Sequence, residues 1–153
     1  MKTKLSIVTD ITAFHTAGEA PVLTVPQIPP PDREALRIKL IEEEVGETLK
    51  AIRERDLVEI ADGLADSIVV LVGTALEYGI DLTAVWNEVQ RSNMAKFPPC
   101  EECSQGGYDF LQMSTCKACN GRGTQLLRRE DGKIMKPPGW TPPDIAGVLG
   151  LRP

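Results

Sequence analysis

The sequence predicts an all-α protein: an antiparallel helix bundle completed by oligomerisation and carrying a small cysteine-rich insertion. Three observations lead there. Apolar residues recur at helical spacing through most of residues 33–95, and short turns with cap signals divide that stretch into three helices. After it comes a segment rich in Gly and Cys with almost no aliphatic residues, which cannot hold itself together by burial.

Residues 1–31 are expected to form an N-terminal segment and a Pro-rich arm. A short alternating or helical stretch, Leu5 to His15, gives way to Pro21, Pro26, Pro29, Pro30 and Pro31. Each Pro removes a donor and pushes its predecessor out of the helical region, so the arm should run extended over the surface. Asp32 offers an N-cap to a helix over 33–54, in which Leu36, Leu40, Ile41, Val45, Leu49 and Ile52 define one buried face. Asp56 caps the next helix, and Glu59 is placed to complete a capping box. The second half of that helix is apolar almost all round, which suits the centre of a bundle, and Gly79 after Tyr78 supplies a left-handed stop. Asp81 caps a third helix from Leu82 to about Ala95, with Val85, Trp86 and Val89 inward. The resulting division is a helical catalytic core over 32–97, an insertion over 98–124, and a C-terminal strap over 125–153 that packs on the core with Trp140 among its prolines. Three helices leave an apolar side uncovered, so a homodimer or homotetramer is expected, with sites at the subunit boundary.

Composition narrows the function. The chain has 153 residues, 42% apolar and 25% charged, which fits one compact domain with an appendage and excludes a disordered chain. Seventeen Lys and Arg against 22 Asp and Glu give a net charge of -5, a field that repels nucleic acid and membrane phosphate unless basic residues cluster locally. The longest apolar run, Ile68 to Val72, falls far short of the roughly 20 residues that span a bilayer. The amino terminus has no sustained apolar stretch of the secretory kind, so a reducing cytoplasm is expected.

In that compartment cysteine pairs are metal ligands before they are disulfides. Cys100, Cys103, Cys116 and Cys119 spell C-x2-C-x12-C-x2-C, the spacing of a tetrahedral structural Zn²⁺ site that leaves no open position for water. The CKACNGRG stretch also resembles one zinc repeat of DnaJ-type chaperones. A basic run follows, Lys117, Arg122, Arg128, Arg129, Lys133 and Lys136 against Glu130 and Asp131, best suited to substrate phosphate or a neighbouring subunit.

The most informative residues are acidic. Glu43, Glu44 and Glu47 fall within about one turn, and Glu59, Asp62 and Asp66 stand at intervals of three and four on the following helix. Like charges so spaced repel, and a divalent cation relieves the repulsion. Carboxylates on two antiparallel helices can hold Mg²⁺ beside a polyphosphate.

Glu44-Val45-Gly46-Glu47 followed by Glu59-Ile60-Ala61-Asp62 resembles the ExxE…ExxD signature of the all-α nucleoside triphosphate pyrophosphohydrolases, the group of the MazG-like, dimeric dUTPase-like and phosphoribosyl-ATP pyrophosphohydrolase proteins. The likeness extends to Phe14-His15, Ser92-Asn93-Met94-Ala95-Lys96, Gly132-Lys133, Lys136-Pro137, Gly139-Trp140 and Pro143-Asp144-Ile145, and omits only the cysteine segment. In some relatives the second motif ends at the position of Asp66, and its first acid would fall on Gly63, so Glu59 with Asp62 and Asp62 with Asp66 both stand as candidates.

The resemblance implies hydrolysis between the α and β phosphates of a (deoxy)nucleoside triphosphate with Mg²⁺ or Mn²⁺. The metal ligands are then expected among Glu44, Glu47, Glu59, Asp62 and Asp66, with Glu43 or Glu47 orienting the water. Arg91, Lys96, Lys133 and Lys136 are candidates for the phosphates, Asn93 for base or sugar, and His15 for a substrate contact. Trp86 and Trp140 are expected to pack. Small relatives that shape deoxynucleotide pools, including phage-encoded dGTP-specific ones, are nearest in layout, so dGTP is expected ahead of dUTP. Phosphoribosyl-ATP comes last, because the chain shows no biosynthetic partner domain. The competing expectation is a non-enzymatic zinc-knuckle module that binds nucleic acid or a partner protein and uses its helices only to dimerise.

Overall fold

Prolines set where the longest helix begins. In the computed structural model, which describes residues 7–103, 106–109 and 111–151, helix α1 spans Ile7–Ala17, α2 Pro31–Glu54, α3 Leu57–Glu77 and α4 Leu82–Met94. Leu5, the expected start of the first segment, lies outside the described residues. Pro31 occupies the first turn of α2, where a missing N–H costs nothing and φ is already helical. The carbonyl of Pro30 then accepts from Arg33 N and Glu34 N, both at 3.0 Å. Asp32 is therefore not the N-cap that its side chain suggested. It sits inside the first turn, where its charge still meets the positive end of the helix.

Two close turns fold α3 back along α2. Arg55 takes the left-handed conformation (φ 59°), and Asp56 N donates to Ala51 O at 3.1 Å. Asp56 Oδ1 accepts from Val58 N at 3.0 Å and Glu59 N at 3.2 Å, so the expected N-cap forms. The capping box does not close, because the Asp56 N–H that Glu59 would take is already bonded to Ala51. At the far end, Gly79 stops α3 with φ +66°; a Cβ there would meet Val25 O at 2.1 Å. The Pro-rich arm runs extended as expected and lies across this end, with Leu23 N donating to Leu76 O at 2.9 Å and Gln27 N to Tyr78 O at 3.0 Å. The second satisfies a carbonyl that the helix end leaves open, and the first adds to Leu76 O, which also accepts from Gly79 N at 3.2 Å.

The seam between α2 and α3 alternates steps of three and four residues. Arg37, Thr48 and Ala51 are buried on one helix and Gly63, Ser67, Val70 and Glu77 on the other. Arg37 reaches Thr74 and Glu77 while Thr48 meets Ser67, so the helices run antiparallel. At the Arg37 end, Glu77 is 1% exposed and accepts from Arg33 Nε at 2.9 Å and Arg37 Nη1 at 3.4 Å. Arg37 Nε donates to Thr74 Oγ1 at 3.0 Å and Nη2 to Val70 O. Helix α1 adds Ile11 and His15, and the His15 ring lies against Gly73 of α3.

The apolar face expected to be buried on α2 is only partly covered. Leu49 and Ile52 remain exposed, as do Leu64, Ile68 and Leu71 of α3. A two-helix seam covers one stripe of each helix, and here it has taken the small and polar stripe. Trp86, expected to face inward, is 64% exposed.

Contacts divide the chain into two units, Met1–Val85 and Trp86–Pro153. In the second, β1 (Tyr108–Asp109) pairs antiparallel with β2 (Ser114–Thr115), and isolated bridges join Pro99 to Thr124 and Arg128 to Ile134. A short helix, α5 (Ile145–Val148), is capped by Asp144, whose Oδ1 accepts from Gly147 N at 3.0 Å. No single described helix is long and apolar enough to cross a membrane.

Glu77 neutralises a buried guanidinium, so Glu77→Ala should lower the unfolding free energy by about 3 kcal/mol or more. Urea denaturation measures this, and a loss below about 1 kcal/mol would contradict a structural ion pair at that site.

Candidate active site and metal centre

The antiparallel turn brings the two acidic stretches onto one groove. Glu47, Lys50, Ala51 and Glu54 of α2, with Glu59, Asp62, Gly63 and Asp66 of α3, line a cleft of about 240 Å³. Ala51 and Gly63 are its buried members, and the carboxylates stand exposed around them. Both candidate pairs in α3, Glu59 with Asp62 and Asp62 with Asp66, line this same cleft. Position 63 could not carry an acid here, because a Cβ on Gly63 would meet Thr48 Oγ1 at 2.7 Å and Thr48 Cα at 3.2 Å.

Glu44 is half-buried beside the cleft. Partial burial, then repulsion from Asp66, Glu47, Glu43 and Asp62, holds its carboxyl above the ordinary carboxylate range. That order of causes places acids from both helices within electrostatic reach of one side chain. Glu43 is exposed, on the Glu44 side. Lys50 and Glu54 were not among the expected site residues. Their spacing of three and seven from Glu47 puts them on the same face of α2, a signal present in the sequence.

His15 lies elsewhere. It is 4% exposed, its Nδ1 is 3.4 Å from Pro21 O, and Gly73 backs its Nε2, so the ring belongs to the core and not to the cleft. The other candidate contacts for a substrate fall in the second unit. Arg91 is engaged by Glu88 through two hydrogen bonds of 2.8 and 2.7 Å. The Arg91 guanidinium and a bond from Asp144 N hold the Glu88 carboxyl down at about 2. Asn93 Oδ1 accepts from Lys96 Nζ at 2.8 Å. The ammonium of Lys136 lies 4.0 Å and that of Lys96 6.0 Å from the centre of the Trp140 ring, which itself donates to Ser92 O at 2.7 Å. Lys133 is exposed at the end of a turn in which its N–H donates to Asp131 Oδ1 at 3.1 Å.

The second unit also gathers the cysteines. Cys100, Cys103, Cys116 and Cys119 are 2, 9, 2 and 0% exposed, and their sulfurs all lie within 4.8 Å of one another. Cys100 Sγ is 4.0 Å from Cys116 Sγ, and Cys103 Sγ is 3.6 Å from Cys119 Sγ. The four are positioned to bind a metal ion. Among the described residues no other group of three or more potential ligands is drawn together so closely. Each pair sits in a tight turn: Gly106 N bonds to Cys103 O at 3.0 Å, Gly121 N to Cys116 O at 3.2 Å, and Gly123 N donates to Cys119 Sγ at 3.3 Å.

A family model described as phosphoribosyl-ATP pyrophosphohydrolase matches residues 11–93. The match runs from α1 into α4 and contains every residue of the cleft. It ends before the cysteines. No curated protein gives a significant match to the chain.

A raised carboxyl has a sign in stability. The folded state holds the Glu44 proton more tightly than the unfolded chain, so its contribution falls as pH rises above 4.5, the ordinary value, and through the raised one. Glu44→Gln should therefore raise the melting temperature of the metal-free protein at pH 7 and flatten its decline as pH rises above 4.5. Thermal unfolding at pH 4.5 and pH 7 checks this, and an unchanged or lower melting temperature of the variant at pH 7 would contradict it.

Proposed function

Because the chain belongs to the phosphoribosyl-ATP pyrophosphohydrolase family, within the MazG-like all-α superfamily, we propose that it is a metal-dependent hydrolase that splits a (deoxy)nucleoside triphosphate into its monophosphate and pyrophosphate. Pyrophosphohydrolase chemistry on a nucleotide follows from the family. The observation that carries the reading is the cleft in which Glu47 of α2 faces Glu59, Asp62 and Asp66 of α3 inside the matched span.

The donor set fits a hard divalent cation. It consists of oxygens alone, from two helices, and the mutual repulsion felt at Glu44 is what Mg²⁺ or Mn²⁺ would relieve. Glu44, Glu47 and Asp62, with Asp66 or Glu59, would hold it. When bound, the cation supplies the charge neutralisation and Lewis acidity that phosphoryl transfer needs. Glu43 or Glu47 orients the attacking water and accepts its proton. Lys96, Lys133 and Lys136 offer ammonium groups to the phosphates, ahead of Arg91, whose guanidinium is paired with Glu88. Asn93 meets base or sugar through its amide. His15, buried in the core, takes no part.

The resemblance of the sequence to small proteins that shape deoxynucleotide pools supports a deoxynucleotide, dGTP ahead of dUTP, with control of those pools as the role. The cysteine site is proposed to hold structural Zn²⁺. A tetrahedron of thiolates with bonds of about 2.3 Å has edges of about 3.8 Å. Separations of 4.0 and 3.6 Å bracket that value. The open stripe of Leu64, Ile68 and Leu71 supports a homodimer or homotetramer in which a second copy covers it.

Glu47→Gln and Asp62→Asn should each lower kcat by about 10²-fold or more on the best substrate of a panel of deoxynucleotides and phosphoribosyl-ATP, read as pyrophosphate release with Mg²⁺. Wild-type rates in either variant, or no turnover by the wild type together with salt-sensitive DNA binding, would contradict the enzyme reading. Purified protein should also carry bound zinc by elemental analysis, and Cys119→Ser should lose most of it. Zinc retained in full by that variant would contradict the thiolate site.

A further inference from the structure

The seam between α2 and α3 is unlike itself at its two ends. One end is bulky and ionic, and the other, beside the cleft, is built from Thr48, Gly63 and Ser67. Thr48 and Ser67 are 6% and 8% exposed. Thr48 Oγ1 donates to Glu44 O at 2.9 Å, which leaves Ser67 as donor in the 3.0 Å bond between the two hydroxyls. Gly63 closes the gap: a Cβ there would lie 2.7 Å from Thr48 Oγ1, 3.2 Å from Thr48 Cα and 3.4 Å from Thr48 Cβ. One of those atoms is backbone, so no rotation of the Thr48 side chain alone makes full room. Gly46, two residues before Thr48 and on the exposed side of α2, has nothing within 4 Å of where its Cβ would be.

Each of the three seam residues directly follows an acid of the site. Thr48 follows Glu47, Gly63 follows Asp62, and Ser67 follows Asp66. On a helix, displacing a seam residue displaces its neighbour by a similar amount. We propose that Thr48, Gly63 and Ser67 are positioning residues: their contact sets the separation at which α2 and α3 present Glu44 and Glu47 to Asp62 and Asp66. This rests on reading the cleft as a cation site. An octahedral Mg²⁺ or Mn²⁺ demands ligand distances near 2.1 Å, so a shift of a few tenths of an ångström across the groove matters to binding well before it matters to folding.

The test uses the full chain and Mn²⁺ alone, titrated by electron paramagnetic resonance, with kcat and KM measured alongside and far-UV circular dichroism confirming the fold. Gly63→Ala should weaken Mn²⁺ binding by about 10-fold or more. Gly46→Ala should bind like wild type. In Gly63→Ala the activity lost at low Mn²⁺ should return as Mn²⁺ is raised, with KM for the nucleotide little changed. Wild-type affinity in Gly63→Ala, or an equal loss of affinity in Gly46→Ala, overturns the positioning role. If Gly63→Ala does not fold, Thr48→Val and Ser67→Ala decide: weaker Mn²⁺ binding in both supports the proposal, and wild-type binding in either overturns it. A wild type that binds no Mn²⁺ overturns the cation site and this inference with it, an outcome distinct from intact binding that ignores the seam.

Discussion

The close contact of α2 with α3 is the constraint on which the first unit depends. Its two ends do different work with different chemistry. At one, a buried carboxylate between Arg33 and Arg37 locks the register, because any slip would strand a guanidinium in the interior. At the other, a glycine and two hydroxyls let the backbones approach where the acids gather. The ionic end is costly to rearrange, and the small end is sensitive to a single added carbon. Together they make a rigid frame for side chains that repel one another.

That repulsion links the fold to its chemistry. Neighbouring carboxylates weaken a helix pair in isolation, and Glu44 records the cost as a carboxyl held above its ordinary range by burial and by Asp66, Glu47, Glu43 and Asp62. The same tension makes a divalent cation welcome. In the second unit a different device appears: chain with few aliphatic side chains is organised around four buried sulfurs instead of an apolar core.

Much of this was legible in the residues themselves. The helix boundaries followed from Asp56, Gly79 and Asp81, whose side chain or missing side chain acts on the few backbone groups next to it. The acids of the cleft followed from intervals of three and four on adjoining helices. Cysteine spacing anticipated the sulfur cluster because C-x2-C turns are local. What escaped was set by nonlocal packing. Which stripe of α2 turns toward α3 is not written in the apolar pattern, since Leu49 and Ile52 look like a core face until Gly63 is seen to admit Thr48. His15 could not be separated from a ligand-binding histidine by sequence, because only its place against Gly73 and Pro21 O shows it to be interior. Asp32 lost the cap to a proline whose fixed φ starts the helix earlier.

In the proposed reaction the acidic cleft directs water to a nucleotide so that pyrophosphate leaves whole. Phosphorus NMR of the products formed from dGTP and Mg²⁺ tests it most directly. The account predicts dGMP and inorganic pyrophosphate appearing in step, with no dGDP. Release of single phosphate with dGDP, or an unchanged spectrum for every nucleotide offered, would contradict it.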